Sequence, residues 1–216
     1  MVIEQQAAPA FADARRAMID SQLRVSGVND PAVLAAMGAV AREMYVPADR
    51  RSVAYADRAV PLGGGRVLAP ALTHGQMLTE AQPLAGDNVL IIGGGTGYLA
   101  AVVAPLVTSV TVVESDPAIP GAGARSGTWV TGPLAKGAAK GAPYSLILID
   151  GAVEQIGPDL ARQLADDGRV VTGVRDNGVT RLATGRKAAG QISLQALSEA
   201  DFAALPEFAA PRKWSF

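Results

Sequence analysis

The chain has 216 residues, 49% hydrophobic and 18% charged, with a formal net charge of −1 and a pI near 5.8. That balance fits one globular domain with a full core and gives no electrostatic reason to expect nucleic acid or an anionic membrane as partner. With no cysteine and a single histidine, disulfides, thiolate nucleophiles, thiolate zinc sites and His-pair metal motifs are excluded, and no metal site is expected.

Glu4 stands near the start and no basic stretch leads into an apolar run, so neither a signal peptide nor a lipid anchor is expected and the predicted location is cytoplasmic. Residues 1–10 are Ala/Gln-rich without a period and are expected to form a loose tail. The pattern from Phe11 to Leu23 is helical and ends at Gly27, and Asp30-Pro31 caps a second helix carrying Val33, Leu34, Met37 and Val40 and ending near Arg42. Tyr45-Val46-Pro47 reads as an extended exit, Gly63-Gly64-Gly65 as a turn before Val67-Leu68, and Pro70 as the opening of a helix running to about Glu80.

Val89 to Ile92 and Val110 to Val113 predict two strands flanking a helix from Tyr98 to about Ala104, the βαβ unit of a parallel sheet. Val89 to Val113 lacks charge and is long enough to cross a bilayer, but four glycines and Pro105 inside it favour buried α/β elements. Further on, Leu146 to Ile149 predicts a buried strand, Pro158 to Leu164 a short helix stopped at Gly168, and Val170-Val171 another strand. Arg181 to Lys187 and Ile192 to Leu197 predict an antiparallel pair around Gly190. The expected organisation is one domain over 1–216, with an N-terminal helical part at 11–80 and a Rossmann-like core at 86–216.

The strand Val89 to Ile92 enters Gly93-Gly94-Gly95-Thr96-Gly97, where glycines let the backbone approach a ligand ahead of a helix N-terminus. Glu114 follows Gly93 by 21 residues, at the end of the next strand, where a carboxylate can accept two hydrogen bonds from a ribose diol. The third glycine of a dinucleotide fingerprint would fall at Tyr98, so the spacing favours an adenosylmethionine site over a nicotinamide one. Asp150 sits just after a strand at the sheet's carboxyl edge and is read mainly as a capping or solvated residue. His74 has no nearby Ser or Asp in the sequence and is read as a surface or half-buried residue. Trp129 and Trp214 are read as packing residues, with Trp129 placed to cover a pocket.

Gln22-Leu23-Arg24, Gly27, Asp30, Val33-Leu34, Met37, Val40, Arg42-Glu43, Tyr45-Val46-Pro47, Tyr55 and Asp57, with Pro61-Leu62-Gly63 and the run Val89 to Tyr98, together resemble the protein-L-isoaspartate O-methyltransferase family. The resemblance spans about Ala17 to Val174. It implies a Rossmann-like methyltransferase fold: a mostly parallel sheet with an antiparallel C-terminal addition and N-terminal helices. It also implies S-adenosylmethionine as cofactor and carboxyl methylation of an isoaspartyl protein or peptide as the start of repair. By that resemblance Gly93, Gly94, Gly95 and Gly97 line the cofactor and Glu114 holds its ribose.

The chain departs from the family pattern at three places. Leu68 stands where the family has a serine linked to substrate and catalysis, Ile91 replaces an acidic residue, and Pro133 replaces an adenine-facing aspartate after a short 115–130 connection broken by Pro117 and Pro120. The catalytic residues and the oligomeric state are left unassigned. Two alternatives stay open at this point: a relative that has lost catalysis and acts as a binding or regulatory module, and a small-molecule O-methyltransferase using Asp150.

Overall fold

The elements follow from local sequence. The structure, a computed structural model, describes residues 3–116, 119 and 123–211, so the readings placed on Pro117, Pro120 and Trp214 lie outside the described residues. Helix α1 (Ile3–Met18) continues through a π-helical turn to Leu23. Its backbone is already helical over 3–10, where a loose tail was expected; Glu4, Gln5, Gln6, Ala7 and Ala8 are good helix formers without an apolar stripe, so propensity and not periodicity marks this segment. Helix α2 (Pro31–Ala39) starts as expected, Asp30 Oδ1 accepting Ala32 N at 2.7 Å and Val33 N at 3.2 Å. It ends at Ala39, short of Arg42, and a 3₁₀ turn (Arg42–Tyr45) leads to the extended Val46.

A two-stranded antiparallel hairpin comes next, β1 (Val60–Gly63) and β2 (Arg66–Leu68), joined by the predicted glycine turn. Its glycines at 63, 64 and 65 all have positive φ (100°, 57° and 76°), a conformation that side chains resist. Helix α3 (Ala71–Ala81) follows Pro70. The remaining strands are β3 (Asn88–Ile92), β4 (Ser109–Glu114), β5 (Thr128–Thr131), β6 (Tyr144–Val153), β7 (Leu164–Asp176), β8 (Val179–Ala188) and β9 (Gln191–Glu199). Helix α4 (Tyr98–Val103) links β3 to β4, and α5 (Pro158–Gln163), one residue shorter than expected, precedes β7, which begins at Leu164, ahead of the stop expected at Gly168.

These seven strands form one sheet in the order β5-β4-β3-β6-β7-β8-β9, parallel from β5 to β7 and antiparallel at β8 and β9. The predicted α/β class, with its antiparallel C-terminal addition, is the architecture found. The uncharged runs of β3 and β6 are explained by burial on both faces. Val89, Ile91, Leu146 and Leu148 pack with α2, α3 and α4 on one side, whereas Leu90, Ile92, Ile147 and Ile149 pack with Leu160 of α5 and Phe208 on the other. No helix among the described residues is long and apolar enough to cross a membrane.

The amino ends of the strands are tied together by Asp87. Its Oδ2 accepts Arg169 Nη2 (2.6 Å) and Leu84 N (2.8 Å), and its Oδ1 accepts Ser145 Oγ (2.7 Å) and Arg169 Nη1 (3.2 Å). Arg169 also donates to the carbonyls of Ala81 and Gln82, so one ion pair joins α3, β3, β6 and β7. Burial pushes the Asp87 carboxyl up, but the hydrogen bonds from Arg169, Leu84 and Ser145 outweigh it and hold the carboxyl below its usual range. A depressed folded-state pKa gives stability that is present above the ordinary aspartate value of about 3.9 and is lost as pH falls through the folded value. Asp87→Asn is therefore expected to lower the unfolding free energy in urea by about 2–3 kcal/mol at neutral pH. The gap to the unsubstituted protein should close as the pH drops below about 4.

Candidate functional site

The strand order reverses between β3 and β6: β4 and β5 lie on one side of β3, and β6 and β7 on the other. Such a reversal leaves a crevice beyond the carboxyl ends of the two central strands, the usual ligand position in open α/β sheets. The chain delivers the glycine loop there. Gly93 N and Gly94 N both donate to Val113 O (2.9 and 3.2 Å), and a Cβ on Gly93 would lie 3.3 Å from Asp150 O of β6. Gly93, Gly95 and Gly97 have φ of 78°, 53° and 98°, and a Cβ on Gly94 would come within 2.1 Å of Val112 Cγ1. This backbone path requires glycine.

Glu114, 3% exposed, closes β4 beside the loop. Its Oε2 accepts Gly95 N (2.7 Å) and Arg66 Nη2 (3.2 Å), and its Oε1 accepts Ser115 N (2.8 Å) and Asp116 N (3.3 Å). Arg66 comes from β2 and reaches over the loop, its Nη2 2.6 Å from where a Gly93 Cβ would stand. The Trp129 ring packs on the loop at Gly94 and Gly97, with the Arg125 guanidinium 4.7 Å from the ring centroid, and Leu62 faces Gly95. The covering role foreseen for Trp129 thus has a geometric basis. Pro133 is exposed beyond the end of β5, and Leu68 is buried in the core at 3% exposure.

Beneath the loop lies a buried polar cluster. Register is broken between Ile149 and Ala152 of β6, and such an irregularity re-aims a side chain; Asp150 there meets His74 of α3, whose Nε2 is 3.1 and 3.2 Å from the two carboxylate oxygens. Because a carboxylate only accepts, Nε2 carries the hydrogen. This corrects two expectations. His74 is 1% exposed, not a surface residue, and Asp150 is neither a solvated cap nor a free ligand, since both its oxygens face His74. The partners are 76 positions apart, so no local pattern announces them. Tyr98 stacks between His74 (centroids 5.5 Å) and the fully buried guanidinium of Arg42, 4.7 Å from its ring. Arg42 donates from Nε to Ala54 O (2.7 Å) and from Nη2 to Ala69 O. Burial lowers the Arg42 pKa, with Tyr98 and Asp150 opposing it, and burial raises that of Tyr98.

Arg66, His74, Arg42 and Tyr98 were not among the residues assigned to the site from sequence. The available signals were an arginine next to a strand that otherwise turns inward, and the chain's single histidine within an apolar helix. A cavity of about 510 Å³ between α1 and α2 lies away from this crevice; its arginines 15, 16 and 24 pair with Glu43, Asp13 and Asp20. The His74–Asp150 contact is expected to show a coupling of about 1–3 kcal/mol in a double-mutant cycle of His74→Gln and Asp150→Asn, measured by urea unfolding.

Comparison with known proteins agrees with this geometry. The family model for protein-L-isoaspartate (D-aspartate) O-methyltransferase matches residues 13–208. A protein-L-isoaspartate O-methyltransferase of Koribacter versatilis is 34% identical over 203 residues, covering 90% of this chain and 91% of its own. One of Methanoregula boonei is 35% identical over 170 residues, covering 75% and 78%. A solved structure described as a protein-L-isoaspartate O-methyltransferase of Plasmodium falciparum, in complex with S-adenosyl-L-homocysteine, shares the fold with a TM-score of 0.74 at 16% identity, covering 89% of this chain and 98% of its own. The chain belongs to the protein-L-isoaspartate (D-aspartate) O-methyltransferase family.

Proposed function

We propose that this protein transfers a methyl group from S-adenosylmethionine to the free carboxylate of an isoaspartyl residue in a protein or peptide, in the cytoplasm, as the opening step of repair. The observation that carries the reading is a buried carboxylate, Glu114, at the end of β4 and hydrogen-bonded to a positive-φ glycine loop at the switch point of the sheet. The relatives' names and the S-adenosyl-L-homocysteine held by the Plasmodium falciparum neighbour supply the chemistry.

The residues present suit such a cofactor. Glu114 presents a carboxylate at the place a diol would take, Gly93, Gly94, Gly95 and Gly97 offer a backbone free of their own side chains, and the Trp129 ring offers an aromatic wall. When bound, the cofactor supplies an electrophilic methyl group. A carboxylate is already a nucleophile at neutral pH, so the chain needs no general base and acts by holding the acceptor in line and excluding water. The buried Leu68 donates no hydrogen bond to that carboxylate, so its placement falls to other groups. The His74–Asp150 pair, buried below the loop, serves as a prop for the loop's floor.

Calorimetric titration with S-adenosylmethionine and S-adenosylhomocysteine is expected to give micromolar binding, and Glu114→Ala should weaken it by about 100-fold, the worth of two hydrogen bonds to a charged acceptor. No heat at near-millimolar ligand would sink the reading. Because the Trp129 ring lies on the loop, binding should also change the intrinsic fluorescence, and Trp129→Phe should remove most of that change.

A further inference from the structure

Glu114 has no acceptor to spare. A carboxylate offers about four acceptor sites, and Gly95 N, Ser115 N, Asp116 N and Arg66 Nη2 fill them, with Ser115 Oγ adding a longer contact of 3.4 Å from the same turn. Three of these donors are backbone amides fixed by the loop and the turn after β4. The fourth is a side chain on a short hairpin whose three-glycine turn lies against Asp116, a Cβ on Gly64 falling 2.8 Å from its Oδ2. A diol that takes Glu114 must therefore displace Arg66.

Glu114 and Asp116 bring carboxylates to the carboxyl end of β4, and Asp150 of β6 is already held by His74, so a substrate carboxylate entering the crevice needs a cation to meet it. Arg42 is wholly buried and donates to two backbone carbonyls, and Arg125 lies on the Trp129 ring. Arg66 is the cation set directly over Gly93, and its Nε is buried without a hydrogen-bond partner, so its fork has a donor in reserve.

We propose that Arg66 is the substrate-carboxylate ligand of this chain, held on Glu114 in the free protein and released when the cofactor ribose takes that carboxylate. The inference rests on the methyltransferase reading above and adds an order to it: cofactor first, carboxylate second. Since the coupling is thermodynamic, it is reciprocal, and each ligand tightens the other.

The test compares the unsubstituted protein with Arg66→Met and Arg66→Lys, all checked for an unchanged thermal midpoint. It uses S-adenosylhomocysteine, an isoaspartyl peptide and the methyl ester of that peptide. Calorimetry on the unsubstituted protein is expected to show peptide binding strengthened by S-adenosylhomocysteine. In Arg66→Met, S-adenosylhomocysteine should bind about 5- to 10-fold tighter, having no ion pair to break, whereas the peptide should bind about 10- to 100-fold more weakly. The KM should rise by the same factor with a smaller change in kcat, the methyl ester should be insensitive to the substitution, and Arg66→Lys should fall between the two. Equal peptide affinity with and without Arg66, or cofactor binding that weakens with its removal, would overturn the proposal. If neither the unsubstituted protein nor Arg66→Met binds S-adenosylhomocysteine, the methyltransferase reading itself fails, and this inference falls with it.

Discussion

The arrangement of the crevice depends on one carboxylate. Glu114 is the last residue of a parallel strand, where backbone amides of the following turn point back at its side chain, and it reaches sideways to fix Gly95. Through it the end of β4 sets the path of the loop leaving β3. Remove the charge and three amides and a guanidinium lose a common acceptor, in a place too buried for water to replace it freely. The loop's shape is thus a consequence of electrostatics at a strand terminus as much as of its glycines.

The two ends of the sheet are held differently. At the amino ends, Asp87 and Arg169 satisfy one another and several backbone carbonyls, leaving a pinned edge with little reason to move. At the carboxyl ends, the hairpin's ion pair to the sheet is Arg66 on Glu114, beside the apolar contacts of Val60, Leu62 and Leu68 with the core. Below that contact, Arg42, Tyr98, His74 and Asp150 join the N-terminal segment, α4, α3 and β6 into a floor with few exposed atoms.

Much of this was legible before any coordinates. The four-residue apolar runs, the Asp30-Pro31 cap, the Gly190 turn and the spacing from Gly93 to Glu114 are local signals, and each produced the expected element in its place. What escaped the sequence is what distance along the chain conceals. Asp150 and His74 meet only because the register of β6 shifts after Ile149 and α3 packs on that face of the sheet. The strand carrying Trp129 is four residues long and half-exposed, too short for a period to stand out. The hairpin strands are of three and four residues with a proline inside one, too short for their alternation to stand out beside the glycine turn.

The uncharged runs of β3 and β6 have a bearing on how this chain has been able to change. Their side chains are covered on both faces, and they anchor the glycine loop and Asp150 from below. Stability therefore resides largely in residues that never meet a ligand, while the loops at the strand ends contribute little to it. Leu68 and Ile91 add apolar area to the interior at positions that offer no polar group to a ligand. A chain built this way can vary the groups it presents at its strand ends while the strands beneath keep it folded.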